Sequence, residues 1–362
     1  MRTMTGTRTM TTESCSAPSL SKTYHSEGLK SPSFPGGPVD LYQIPGDTGG
    51  NWRKERLVEF ASRYPPSFDP VALGFLSSIG ASKEDRTWWA FLYSTCYCIP
   101  TACALYRSLP LSGLEEIDLD EFWVEKKSSL VFQSDRKYVG IMNKFIPMVQ
   151  DFISRTKGRP WEYMRSLMEN SHEGRIYETL YKEVTGWFYF GRFGAILFID
   201  TFRKCLGIRF EISSYDWSRG STTTSGLYNA FYRDEDAILF DAGKKALSKS
   251  DKEWLDAKKN LVLKVLKKRF PKSHWDTISI TRIFCTYRKL YKGTRYLGYY
   301  VDRQQEELKI LERGFPEFSE TWRLLWYLRK IGIDNEFLGE LNGRQGIQKP
   351  LMKVFLEEGV IV

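Results

Sequence analysis

The sequence predicts an all-α protein, a single large helical domain preceded by a disordered N-terminal tail. Three observations carry that expectation. From residue 52 onward, apolar residues recur at three-to-four spacing in one segment after another, the period that gathers them on one face of a helix. Several of these segments open on Ser, Asp or Pro and close on Gly or Pro, which start and stop helices. Alternation of period two is confined to short runs, "IRFEIS" at 208–213 and "DAILFD". A chain of 362 residues with 11 Trp, 20 Tyr and 23 Phe also has ample material for a buried core.

The elements follow in order. Residues 1–50, rich in Thr, Ser, Gly and Pro, show no periodicity and read as a disordered or loosely attached tail. The first 24 residues hold a single acid, Glu13, as a transit peptide would, but their Thr and Gly content makes a poor amphipathic helix. The main domain spans 52–345, and 346–362 form a C-terminal extension. "NWRKERLVEFASRY" places Leu57, Phe60 and Ala61 on one face. "DPVALGFLSSIGAS" has Asp69 as N-cap and Pro70 at the first helical position.

The stretch 88–106, "WWAFLYSTCYCIPTACALY", has 19 consecutive uncharged residues, within the length that spans a membrane. Ser94, Thr95, Pro100 and Thr101 favour a buried central helix, kinked or broken at Pro100. "RKYVGIMNKFIPMVQDFISRTKG" repeats Val139, Met142, Phe145, Ile146, Val149 and Ile153, with Gly158 beyond its end. "SDKEWLDAKKNLVLKVLKKRFP" offers Ser250 as N-cap with Glu253 at capping-box spacing. "PEFSETWRLLWYLRKIG" closes the series.

The net charge is +9, and it is unevenly placed. Between Asp241 and Arg303 there are 17 Lys or Arg against 6 Asp or Glu, a local net of +11. A concentrated basic region suits a polyanion, and a Lys-decorated solvated helix is the plainer alternative. Six cysteines, three of them in one apolar stretch, do not form a secreted disulfide framework and point to a reducing cytosol. The three histidines show no ligand spacing, so no cofactor or metal is evident. Phosphate-binding, dinucleotide-binding and nucleophile-elbow motifs are missing from the sequence; "GWFYFGRFG" has glycines, but aromatic residues fill the space between them.

Four clusters remain. In "VFQSDRKY", Ser134 or Asp135 could cap the next helix, but a cap leaves Gln133 and Arg136 unexplained. In "WFYFGRFGAILFIDTF", Arg192 is the one cation, and it either pairs internally with Asp200, eight residues on, or binds an anion. "SSYDWSRGSTTTSGLYNA", 213–230, reads as a long Ser/Thr/Gly loop holding Asp216 and Arg219. In "TYRKLYKGTRYLGYYVDRQQEEL", Arg288, Lys289, Lys292 and Arg295 alternate with tyrosines, a combination that suits nucleic acid. Its last helix turns Leu297, Val301, Gln304 and Leu308 inward and Tyr299, Asp302, Arg303 and Glu306 outward; the plainer alternative is an Arg303–Glu307 surface pair.

At these clusters, from about residue 55 to about 325, the chain resembles the amino acid:DNA transferase family of bacteriophage thymine hypermodification. "WWAFLYSTCYCIPTACALYRSLP", "LVFQSDRKY", "YFGRFGAILFIDTFRKCLGI", "DWSRGSTTTSGL" and, most specifically, "YLGYYVDRQ" carry the resemblance. It implies an enzyme acting in the cytoplasm of an infected bacterium on double-stranded phage DNA. There it would displace pyrophosphate from pyrophosphorylated 5-hydroxymethyluracil with a free amino acid. Arg136, Arg192 and Arg303 would then face the anionic leaving group and the amino acid carboxylate, with Gln133 and Asp216 beside them. Asp302, then Asp135, would take the proton of the attacking amine. Tyr299 would hold the base outside the stack, and Arg288, Lys289, Lys292 and Arg295 would meet the backbone. A divalent metal on the pyrophosphate is compatible with this chemistry, though no ligand cluster demands one. Two other classes fit the same features: a DNA glycosylase-like or pyrophosphorylase-like enzyme on modified thymine, and a non-catalytic DNA-binding protein.

Overall fold

The computed structural model describes residues 70–132, 143–172, 174–210, 212, 217, 221–231, 247–269, 271, 275–291 and 299–331. The tail 1–50, the helix expected over 51–64, the Asp69 cap and the extension 346–362 lie outside the described residues. Among those residues there are thirteen α-helices and no strand, so the protein is all-α. The short alternation at 208–210 is irregular chain.

Helix α1 (Pro70–Ser78) begins at the expected proline. The apolar stretch forms two helices, α2 (Lys83–Cys96) and α3 (Ile99–Ser108). Ser82 and Asp85 cap each other at the start of α2. At its end Tyr97 takes a left-handed conformation, φ 53°, and Pro100 sits in the first turn of α3. The chain therefore breaks just before the proline, whose ring cannot continue the preceding helix. No described helix is long and apolar enough to cross a membrane.

α2 is the central helix, buried around most of its circumference, with Trp88, Trp89, Ala90, Phe91 and Leu92 out of solvent. The indole of Trp88 donates to the Leu109 carbonyl at 2.8 Å, so its one polar atom is satisfied. Helix α5 (Phe145–Thr156), α6 (Pro160–Glu169), α7 (Ile176–Thr185) and α8 (Arg192–Leu206) gather around it. Phe91 stacks on Phe152 with centroids 4.0 Å apart, and Trp187 meets Phe198 edge-on at 4.9 Å. α5 starts at Phe145 after a turn at 143–144, later than the repeat from Val139 suggests; residues 133–142 lie outside the described residues. It ends as expected, with Lys157 and Gly158 both left-handed.

Between α3 and α5 lies α4 (Leu119–Lys126). A second layer contains α9 (Ser221–Phe231), α10 (Lys249–Arg269) and α11 (Thr277–Tyr291). Here one expectation is corrected. The "STTTSG" segment is helical, not a loop: Thr223, Thr224 and Ser225 are buried and α9 packs along α11. Its small residues permit this close approach. A Cβ on Gly226 would stand 1.9 Å from the Phe284 carbonyl oxygen. The cap of α10 is also displaced: Ser248 and Asp251 form the reciprocal box, two residues before the Ser250–Glu253 pair, because Ser248 is the last residue outside the helix. Finally α12 (Tyr299–Gly314) packs on α3, and α13 (Ser319–Ile331) packs on α1.

Candidate active site

Two sequence clusters distant in the chain meet at the N-terminal end of α3. The Thr101 hydroxyl donates to the Val131 carbonyl at 2.8 Å and accepts from the Val131 amide at 3.1 Å. This reciprocal pair, with Phe132 buried next to it, fixes the chain two residues before Gln133. On the same first turn of α3, the Cys98 thiol donates to Oε2 of Glu307 at 3.4 Å. Burial first, then the charge of Glu307, push the Cys98 thiol well above its ordinary pKa, so it remains a neutral donor.

Glu307 is only 3 % exposed and has further contacts besides Cys98. Glu307 is therefore a buried residue rather than a surface one; the side chain of Arg303, its expected partner, lies outside the described residues. The burial of Glu307 also redraws the faces of α12. Gln305, Glu307, Leu308 and Leu311 are buried and Glu306 is exposed. Position 303 lies one turn before Glu307 and shares its face, whereas position 302 lies between the buried Gln305 and the exposed Glu306. Sequence reasoning placed Glu307 outside the site. The signal the sequence offers for it is its four-residue spacing from Arg303.

The other expected residues fall as follows. Tyr299, Asp302 and Arg303 lie on the first turn or two of α12, and Arg288 and Lys289 on the last turn of α11; the side chains of all five lie outside the described residues. Gln133, Asp135, Arg136, Asp216, Lys292 and Arg295 lie outside them altogether. Arg192 opens α8, half-buried and engaged in contacts of its own.

The internal Arg192–Asp200 pair is not the one that forms. Asp200, fully buried, meets Arg203 at 2.7 Å, Lys204 at 3.1 Å and Arg282 of α11 at 2.5 Å. Arg203 in turn pairs with Asp276 at the start of α11. Burial pushes the Asp200 carboxyl up, but Arg282, Lys204 and Arg203 outweigh it and hold the carboxyl below the usual carboxylate range. Lys204 moves the other way: burial brings it down to about 8 despite the pull of Asp200. Three cations matched by two carboxylates clamp α8 to α11. Along the basic segment, Lys252, Lys264, Lys267 and Lys268 of α10 are exposed, whereas Lys259 is buried against Asp256.

The similarity that bears on function lies in the sequence. The chain is 27% identical over 298 residues to a serinyltransferase of Salmonella phage ViI, covering 76% of this chain and 71% of that protein. The chain is related to a phage serinyltransferase. That relationship bears out the resemblance carried by its motifs and supports a transferase activity. No family model matches the chain, and no solved structure matches it.

Proposed function

We propose that the protein modifies phage DNA by joining an amino acid to the methylene carbon of pyrophosphorylated 5-hydroxymethyluracil. The amine nitrogen attacks that carbon, the carbon–oxygen bond to pyrophosphate breaks, and one amine proton passes to a carboxylate. The observation that carries this reading is the meeting of Val131 and Glu307, one from each of two motif clusters, on the first turn of α3, in a chain related to a serinyltransferase.

In this reading Arg136, Arg192 and Arg303 offset the charge of the departing pyrophosphate. Asp302 accepts the amine proton, with Asp135 as the second choice for that role. Gln133 and Asp216 complete the polar contacts to the amino acid, and Tyr299 stacks on the extruded base. Arg288, Lys289, Lys292 and Arg295 engage phosphates. Glu307 joins this set: a buried carboxylate one turn from position 303 orients that arginine or receives the ammonium of the amino acid.

The test uses DNA carrying pyrophosphorylated 5-hydroxymethyluracil, a pool of amino acids and the full chain, followed by digestion to nucleosides and mass measurement. An amino acid adduct is expected, lost in Asp302→Asn while DNA binding persists. Release of free base would mark a glycosylase-like enzyme, and a phosphate adduct a pyrophosphorylase-like one. DNA binding without any product, unchanged in Asp302→Asn, would leave a binding protein.

A further inference from the structure

The turn between α7 and α8 is built to hold aromatic rings out in water. Two buried residues flank two exposed ones in it. Trp187 and Phe190 are buried, with Phe190 stacked on Phe91 at 5.6 Å. Phe188 is 42 % exposed and Tyr189 52 %, and Phe193, one turn into α8, is 38 % exposed. Tyr189 adopts φ 60°, a left-handed conformation that residues other than glycine seldom take.

Half-buried and exposed polar groups hold that strained turn in place. Oδ2 of Asp151 accepts the Phe188 amide at 2.8 Å, and Arg155 grips Asp151 while donating to the Gly186 carbonyl at 3.1 Å. Oε1 of Glu183 accepts both the Trp187 indole, at 3.0 Å, and the Tyr163 hydroxyl, at 2.7 Å. The carboxylates at the base of the turn are therefore matched, Asp151 by Arg155 and Glu183 by the same arginine at 3.7 Å. Besides the matched Glu183, the charges that border the turn are Lys182, exposed in the last turn of α7, and Arg192, which opens α8, and both are positive. Hydrophobic collapse would bury these rings; a scaffold that keeps them exposed beside cations matches a partner with flat faces and negative charge.

We infer that Phe188 and Tyr189 stack on an unpaired base of the DNA, with Lys182 toward its phosphates. This rests on the reading of DNA as substrate. Stacking on a nucleobase tolerates any sequence, because every base has a π-face. The pair Phe188–Tyr189, centroids 6.1 Å apart and 37° from parallel, is spaced as two neighbouring platforms rather than one closed sandwich.

The experiment compares the full chain with a Phe188→Ala/Tyr189→Gly variant. Glycine at 189 removes the ring and relieves the left-handed strain, so thermal stability should not fall. Affinity is measured at fixed salt for a single-stranded oligonucleotide carrying 2-aminopurine, whose fluorescence reports stacking. The expected result is quenching by the parent and binding weakened on the order of ten-fold in the variant. The slope against salt should be unchanged, because the phosphate contacts remain. Equal affinity in the two proteins, no quenching by the parent, or a parent dimer that the variant dissociates would each overturn the inference. The nucleoside product assay separates this outcome from the parent reading. Ring-dependent binding without any adduct keeps the stacking role and removes the transferase chemistry. Full adduct formation with ring-independent binding does the reverse.

Discussion

Among the carboxylates withdrawn from solvent in the described residues, Asp200 and Glu307 have surroundings that assign them different work. Asp200, on α8, is enclosed by Arg203, Lys204 and Arg282, and Arg203 continues to Asp276. Every charge in that group has an opposite partner within the helix pair, so the cluster has the character of a clamp between α8 and α11. Glu307, on α12, meets the neutral thiol of Cys98 at a helix start that also anchors the segment leading to Gln133 and Arg136. One carboxylate is balanced for rigidity; the other stands where the sequence motifs converge. A buried acid is thus read by what it touches, not by its burial.

The largest expected effect falls on the clamp. Asp200→Asn leaves cations facing a neutral amide, and breaking a buried pair costs about 3–5 kcal/mol. The lower end is expected, because Arg203 keeps Asp276 and Arg282 is 39 % exposed. Urea unfolding measures it, and activity per folded molecule should be preserved. A loss of activity with little loss of stability would transfer Asp200 to the functional group. Glu307→Gln should show the opposite pattern: adduct formation reduced on the order of ten-fold or more, with stability changed by about 1–2 kcal/mol. Equal stability losses in the two variants would erase the distinction.

Proton linkage sharpens the same contrast. The Asp200 carboxyl is depressed in the folded chain, so its contribution is fully present above the ordinary value of 3.8 and is lost as pH falls through the folded value. Lys204 has the reverse sign. Its folded value of about 8 lies below the ordinary 10.5, so between those values the unfolded chain holds more protons and stability gains from Lys204 as pH rises. Lys204→Met should flatten that alkaline limb, and Asp200→Asn the acid one, in pH-dependent melting curves. Unchanged limbs would mean that other groups set the pH dependence.

Much of the architecture was legible because it follows from local rules. The helical period, Pro70 at a helix start, the interruption at Pro100 and the Gly158 terminus each depend on neighbours in sequence. What sequence reading missed depends on distant neighbours. The "STTTSG" run has loop composition, and only the 1.9 Å approach of a would-be Gly226 Cβ to Phe284 explains why small residues belong in a packed helix. Asp200 and Arg192 share a spacing, but Arg282 arrives from another helix and Arg203 and Lys204 from the next turn. Glu307 looked like a surface partner because a helix wheel cannot know that α3 covers that face.

The smallest expected effect tests the contact that defines the second region. Cys98 stands at the N-cap of α3 and makes no side-chain capping bond there; its thiol is turned to Glu307 instead. Cys98→Ser keeps a donor for the carboxylate and places a preferred capping residue at the helix start, a preference worth about 0.5–2 kcal/mol against alanine. The shorter C–O bond leaves a small gap where sulfur packed, so the net change should be within about 1 kcal/mol of zero. Cys98→Ala removes the donor from a buried carboxylate and should cost about 1–3 kcal/mol. The difference between serine and alanine, measured in denaturant with and without Glu307→Gln as a double-mutant cycle, isolates the thiol–carboxylate contact from packing. If alanine and serine are equivalent in both backgrounds, the Cys98–Glu307 contact carries no energy, and the polar junction on α3 reduces to the Thr101–Val131 pair alone.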